Sequence, residues 1–248
     1  MTARLLAIAL CAIFATAAHA AELRVHAAAS LSDTLSEIGK VWEKRGGAPL
    51  RLNFGGSNLL ARQIEEGAPG DVFFSADEEK MNALDRQGLV VRETRRSFLG
   101  NSLVVIVPSD SGLSVRTARD LVSAGVQRIA VAEPTTVPAG IYARQWLEQL
   151  KLWSKLSRKL VTTENVRGVL LAVEGGNVDA GIVYRTDAMV SRKARVAFVV
   201  SGAEAPAISY PAAVLTEASN AAEARKFLAF LESDEAKVIF RRRGFVLR

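Results

Sequence analysis

Four short stretches of this chain place small or polar residues at the start of a helical pattern. They are Ala27-Ala28-Ala29-Ser30, Phe54-Gly55-Gly56-Ser57-Asn58, Val137-Pro138-Ala139-Gly140 and Thr163-Glu164-Asn165-Val166. A helix start presents backbone N–H groups with no partner inside the helix. It also carries the positive end of the helix dipole, roughly half a unit charge. A serine adds an O–H donor, and small side chains let an anion approach the backbone closely. Four such ends aimed at one point would hold a compact dianion with no Lys or Arg touching it. The dipoles contribute only about 0.3–1 kcal/mol each at exposed sites, so charge-assisted hydrogen bonds must supply most of the affinity. Singly, each stretch reads as an ordinary cap or turn; their recurrence is what points to an anion.

The elements that must position these stretches alternate along the chain. Residues 22–28, 50–54, 71–75, 103–107, 128–132, 179–184, 195–200 and 208–215 have strand patterns. Between them run helical stripes: Leu31, Leu35, Ile38 and Trp42; Val166, Val169, Leu170 and Val173; Ala224, Phe227, Leu228 and Leu231. These stripes are core-facing. The alternation predicts an α/β protein with mostly parallel sheets, and 248 residues allow two lobes. No low-complexity linker separates them, so strands are expected to cross between lobes, with 103–107 and 208–215 as the candidates.

Residues 1–20 have the form of an export signal. Arg4 supplies the positive start, residues 5–15 an apolar run, and Ala18-His19-Ala20 a small-residue cleavage site. A lipoprotein anchored at Cys11 fits less well, because bulky Leu10 precedes it and the apolar run continues past it. An exported, periplasmic chain cleaved after Ala20 is the expectation. The remainder then has no Cys and one His, His26, which excludes a disulfide scaffold, a Cys nucleophile and zinc sites built on Cys or several His. The net charge of +6 comes from 32 basic and 26 acidic residues spread along the chain. It favours approach of an anion without forming a nucleic-acid-binding stripe. Dinucleotide and phosphate loops and a nucleophile elbow are absent from the sequence.

At the same four stretches the chain resembles the periplasmic molybdate-binding proteins of ABC importers. The resemblance runs through AAASLSDTLSEIG at 27–39, FGGSNLLARQIEEGAPGDVFFSAD at 54–77, NSLVVIVP at 101–108 and VPAGIYARQWLEQL at 137–150. It continues through ENVRGVLLAVEGGNVDAGIVYRTDA at 164–188, YPAAVL at 210–215 and IFRRRGF at 239–245. It implies a two-lobed periplasmic binding protein fold of type II, with lobe 1 over 21–103 and 208–248 and lobe 2 over 104–207. It implies that Ser30, Ser57, Ala139, Val166 and Tyr184 bind the oxyanion: the serines through hydroxyl and backbone N–H, Ala139 and Val166 through N–H, and Tyr184 through its hydroxyl. It further implies a monomeric, non-enzymatic receptor without a cofactor or a resident metal cation. Such a receptor takes molybdate, and tungstate comparably, and delivers it to a membrane permease. His26 stands where members often carry an apolar aromatic residue and reads first as a structural histidine. Asp33, Asp71, Asp77 and Asp179 read as caps and structural acceptors.

Two other classes stay open on the residues alone: a receptor for sulfate or tungstate, and a secreted hydrolase or transferase using the same cleft. The second would need a carboxylate pair or a metal site, and no segment has that spacing. An effector lobe of a regulator fits less well, since an export signal is present and a DNA-binding module is not.

Overall fold

The computed structural model describes residues 22–248; the expected export signal at 1–20 lies outside the described residues. In chain order the strands are β1 (Leu23–Ala28), β2 (Leu50–Gly55), β3 (Val72–Phe74), β4 (Arg96–Asn101), β5 (Leu103–Pro108), β6 (Ile129–Ala132), β7 (Leu160–Thr163), β8 (Ala180–Tyr184), β9 (Ala194–Val199), β10 (Ile208–Val214) and β11 (Val246–Leu247). The helices are α1 (Ser32–Lys44), α2 (Ser57–Glu65), α3 (Glu78–Arg86), α4 (Pro138–Gln149), α5 (Trp153–Leu156), α6 (Val166–Glu174), α7 (Arg185–Val190), α8 (Ala221–Leu231) and α9 (Asp234–Arg242).

The strands form two sheets. The first has the order β11-β4-β10-β3-β1-β2 and the second β7-β6-β8-β5-β9. The chain passes from the first sheet to the second at Ser102, the single residue between β4 and β5, and returns through residues 200–207 into β10. The sheets are mixed, not mostly parallel. β1 pairs in parallel with β2 and β3, and β6 with β7 and β8. The strands flanking the two crossings run the other way: β10 is antiparallel to β3 and β4, and β5 to β8 and β9. A chain that leaves a sheet and returns from the neighbouring lobe re-enters against the direction of the βα units, and this accounts for the difference.

The apolar stripes pack as their spacing requires. Leu31, Leu35 and Ile38 are fully buried, and Trp42 lies at 5.5 Å between ring centroids from Phe227, which joins α1 to α8. Val169 and Val173 of α6 are fully buried; a Cβ on Gly181 of β8 would meet both within 3 Å. The consequence for function lies at the strand ends. The C-terminal ends of β1 and β2 in one lobe, and of β6, β7 and β8 in the other, all lead into helix starts. This is the edge of an α/β sheet where ligands bind.

Candidate functional site

The ends of β1, β2, β6, β7 and β8 surround a small cavity between the lobes. Its wall includes all five residues singled out above: Ser30, Ser57, Ala139, Val166 and Tyr184. Each is 4% exposed or less. No lining residue carries a charge. A larger groove between α1, α7 and α9 is open to solvent, and its Glu37 is already paired with Arg242 and Arg243.

Each wall residue sits at a helix start for a local reason. Ser30 lies in the 3-10 turn Ala29–Leu31 that leads into α1. Its Oγ is 3.0 Å from the Tyr210 hydroxyl. Ser57 is the first residue of α2, and its Oγ accepts the Ala76 N–H at 3.0 Å. With one lone pair so used, the Ser57 proton is free for the cavity. Pro138 opens α4, where it costs no hydrogen bond, so Ala139 carries the first N–H of that helix. Gly140 follows because any Cβ there would lie 2.2 Å from the Ala132 carbonyl oxygen. Asn165 caps α6, its Oδ1 accepting the N–H groups of Arg167 at 2.9 Å and Gly168 at 3.1 Å. The cap thus occupies two first-turn donors and leaves that of Val166.

Of the five candidate residues, Tyr184 is the one that helix-start spacing does not find, although it too precedes a helix: it is the N-cap of α7. The missed signal was the short run Arg185-Thr186-Asp187 behind it. Its ring meets Tyr142 and Tyr210 edge-on, with centroids at 6.5 and 5.8 Å. Among the described residues its hydroxyl is buried with no hydrogen-bond partner. Burial above all, with the neighbouring Tyr210, Tyr142 and carboxylates, pushes the phenol well above its ordinary range. It therefore stays protonated and can act as a donor.

The lobes touch around this cavity. Gly56 packs so closely that a Cβ would stand 2.6 Å from Asn58 Oδ1 and 3.0 Å from the Glu164 carbonyl oxygen of the opposite lobe. Asn58 Nδ2 donates to Thr136 Oγ1 at 3.3 Å. Arg167 of α6 reaches Asp33 of α1 at 2.6 Å, while its Nε lies 2.7 Å from Asp187 Oδ1. Asp187 is fully buried, and that burial pushes its carboxyl up to about 6 against the opposing pull of Arg167.

The remaining carboxylates act as acceptors. Asp71 takes the Arg24 N–H at 2.8 Å and the Asn220 N–H at 3.0 Å. Asp77 caps α3 through the Lys80 N–H. Asp179 takes the N–H groups of Gln127 and Arg128. His26 lies outside the cavity wall. Its Nε2 is 3.2 Å from the Pro69 carbonyl oxygen and its Nδ1 is 2.9 Å from Asn53 Nδ2. An amide N–H can only donate to Nδ1, so this environment fits a neutral ring with its proton on Nε2. Among the described residues, no group of three or more His, Cys, Asp or Glu is placed to hold a metal ion. No helix there is long and apolar enough to cross a membrane.

Residues 23–246 match the family of bacterial extracellular solute-binding proteins. The chain belongs to that family. Of curated relatives, the molybdate-binding protein of Escherichia coli is 38% identical over 92% of this chain and 90% of its own. Of solved structures, the periplasmic molybdate-binding protein of Azotobacter vinelandii superimposes with a TM-score of 0.83 at 26% identity, covering 91% of this chain and 99% of that one. A Clostridium difficile domain, provisionally assigned as the substrate-binding domain of a molybdenum ABC transporter, gives a TM-score of 0.70 at 38% identity. It covers 90% of this chain and 97% of that one. The two-lobed architecture with a cleft between the lobes is thus that of the periplasmic solute-binding proteins.

Proposed function

We propose that this solute-binding protein captures molybdate in the periplasm and hands it to the permease of an ABC importer. In this reading the hydroxyls of Ser30, Ser57 and Tyr184 and the backbone N–H groups of Ala139 and Val166 hold the oxyanion. The observation that carries the reading is a small, uncharged cavity faced by a buried tyrosine hydroxyl with no partner of its own. An unsatisfied buried donor costs about 1–3 kcal/mol, a cost that a bound acceptor removes. The molybdate-binding relatives and the matching fold support the choice of oxyanion.

Selectivity follows from the donors. Molybdate is a fully deprotonated tetrahedral dianion at neutral pH. Hydrogen phosphate carries a proton that needs an acceptor, and the proposed ligand set contains no carboxylate. Tungstate, nearly the same size and charge as molybdate, is expected to bind comparably, while sulfate has the same charge but shorter bonds, so only the fit of the donors around it can discriminate against it. No cofactor, resident metal cation or catalysis enters this reading, and the chain acts as a monomer after cleavage behind Ala20. Thermal shift with molybdate, tungstate, sulfate and phosphate tests it. Large shifts with the first two alone are expected. A larger shift with phosphate, or none with molybdate, would overturn it.

A further inference from the structure

A hydroxyl can donate to an anion only if its proton points that way, and in this protein the direction of the Ser30 proton is set from outside the cavity. The chain of control starts at the Ser102 N–H, where the chain passes from β4 to β5, and this group can only donate. It donates to Asn101 Oδ1 at 2.9 Å, and this fixes the orientation of the carboxamide. Asn101 Nδ2 must then donate, and it does so to Tyr210 Oη at 3.2 Å and Thr186 Oγ1 at 3.0 Å. Tyr210 is fully buried. Its hydroxyl already accepts from Asn101, so its own proton is directed to its other close partner, Ser30 Oγ, at 3.0 Å. Ser30 thereby accepts, and its proton is left for the cavity. The opposite direction, with Ser30 donating to Tyr210, would strand the tyrosine proton in a buried place, which is costly.

We propose that Tyr210 is a positioning residue that makes the cavity a donor-only site and so sets which anions it takes. The inference rests on the reading of the cavity as an oxyanion site. Tyr210 does not itself line the cavity; it acts through Ser30. Each link in the relay polarises the next, and its origin at a backbone N–H means that rotating a side chain cannot reverse it.

Two variants separate this role from a packing role. Tyr210→Phe keeps the ring and removes the relay, so the Ser30 hydroxyl can turn either a proton or a lone pair to the cavity. Asn101→Asp reverses the relay: the new carboxylate accepts from Tyr210, Tyr210 accepts from Ser30, and Ser30 shows the cavity a lone pair. Calorimetry, with competition against molybdate for the weaker anions, reads molybdate, sulfate and hydrogen phosphate at pH 8. Sulfate and hydrogen phosphate are both dianions of similar size and differ in one proton, so their affinity ratio isolates the relay.

The expected result for Tyr210→Phe is molybdate binding weaker by about fivefold, the factor set by the net worth of one neutral hydrogen bond. The hydrogen phosphate-to-sulfate ratio should rise at least threefold, and further in Asn101→Asp. A packing defect would weaken both anions together and leave the ratio unchanged; an unchanged ratio in both variants overturns the proposal. Should one variant fail to fold, the ratio in the other decides. A wild-type chain that takes no molybdate overturns the oxyanion reading instead.

Discussion

Arg167 and Asp33 meet between the lobes, Nη2 to Oδ2 at 2.6 Å, and tie α6 of one lobe to α1 of the other. The same guanidinium covers the buried Asp187 at 2.7 Å. The two contacts differ in worth. The Asp33 side chain is 42% exposed, and such pairs contribute about 0.2–1 kcal/mol. Asp33→Asn is therefore expected to weaken molybdate by no more than about fivefold, through a less favoured closed state. Arg167→Ala strands a buried carboxylate, which typically costs about 3–5 kcal/mol, and should lower the melting temperature sharply. Calorimetry and thermal melts check both; equal stability losses in the two variants would contradict the distinction.

Ser57→Ala removes a cavity donor and also the acceptor of the Ala76 N–H. Both binding and stability should fall. Losing a hydrogen bond to a charged group, at about 1.5–3 kcal/mol, corresponds to roughly ten- to hundredfold in molybdate affinity. An unpaired buried N–H costs about 1–3 kcal/mol of stability. Wild-type affinity in a folded Ser57→Ala protein would remove Ser57 from the site.

Tyr184→Phe should split these two effects. The hydroxyl has no partner among the described residues, so its removal leaves the ligand-free protein as stable as wild type or more so. Molybdate affinity should nevertheless drop about tenfold or more. A melting temperature that falls in the free protein, with affinity unchanged, would show that the hydroxyl serves the fold and not the ligand.

His26 predicts a pH dependence of stability that is separate from binding. Burial holds its imidazole below the ordinary 6.5. The folded chain then binds fewer protons than the unfolded chain between the lowered value and 6.5. The contribution of this group is present above 6.5 and is lost as the pH falls through the folded value. His26→Gln should therefore lose less stability than wild type on going from pH 7.5 to 5.5. Calorimetric melts across that range should show a shallower slope; an identical slope would mean that other groups carry the acid sensitivity.

Much of the fold was legible because its signals are local. All eight expected strands are present within two residues of their bounds at either end, and the three apolar stripes face the core. The strands missed have weak local signals: β4 opens on Arg96 and contains Gly100, β7 is the short Leu-Val-Thr-Thr, and β11 has two residues. Four of the five cavity residues were visible as helix starts, since caps and small residues repeat at a recognisable spacing. Tyr184 needed the family resemblance. Long-range pairings were not legible. Ser30 and Tyr210 are 180 residues apart, and Arg167 and Asp33 are 134 apart. Nothing local to either partner announces the other. The sheet directions were misread for a related reason, because pairing across a lobe crossing is set by topology and not by pattern.

A crystal structure of the protein grown with molybdate tests the central claim most directly. The account predicts one tetrahedral anion in the cavity between the lobes, contacted by the hydroxyls of Ser30, Ser57 and Tyr184 and the N–H groups of Ala139 and Val166, with no cationic side chain against it. An empty cavity at saturating molybdate, or an anion gripped by arginines elsewhere on the molecule, would contradict it.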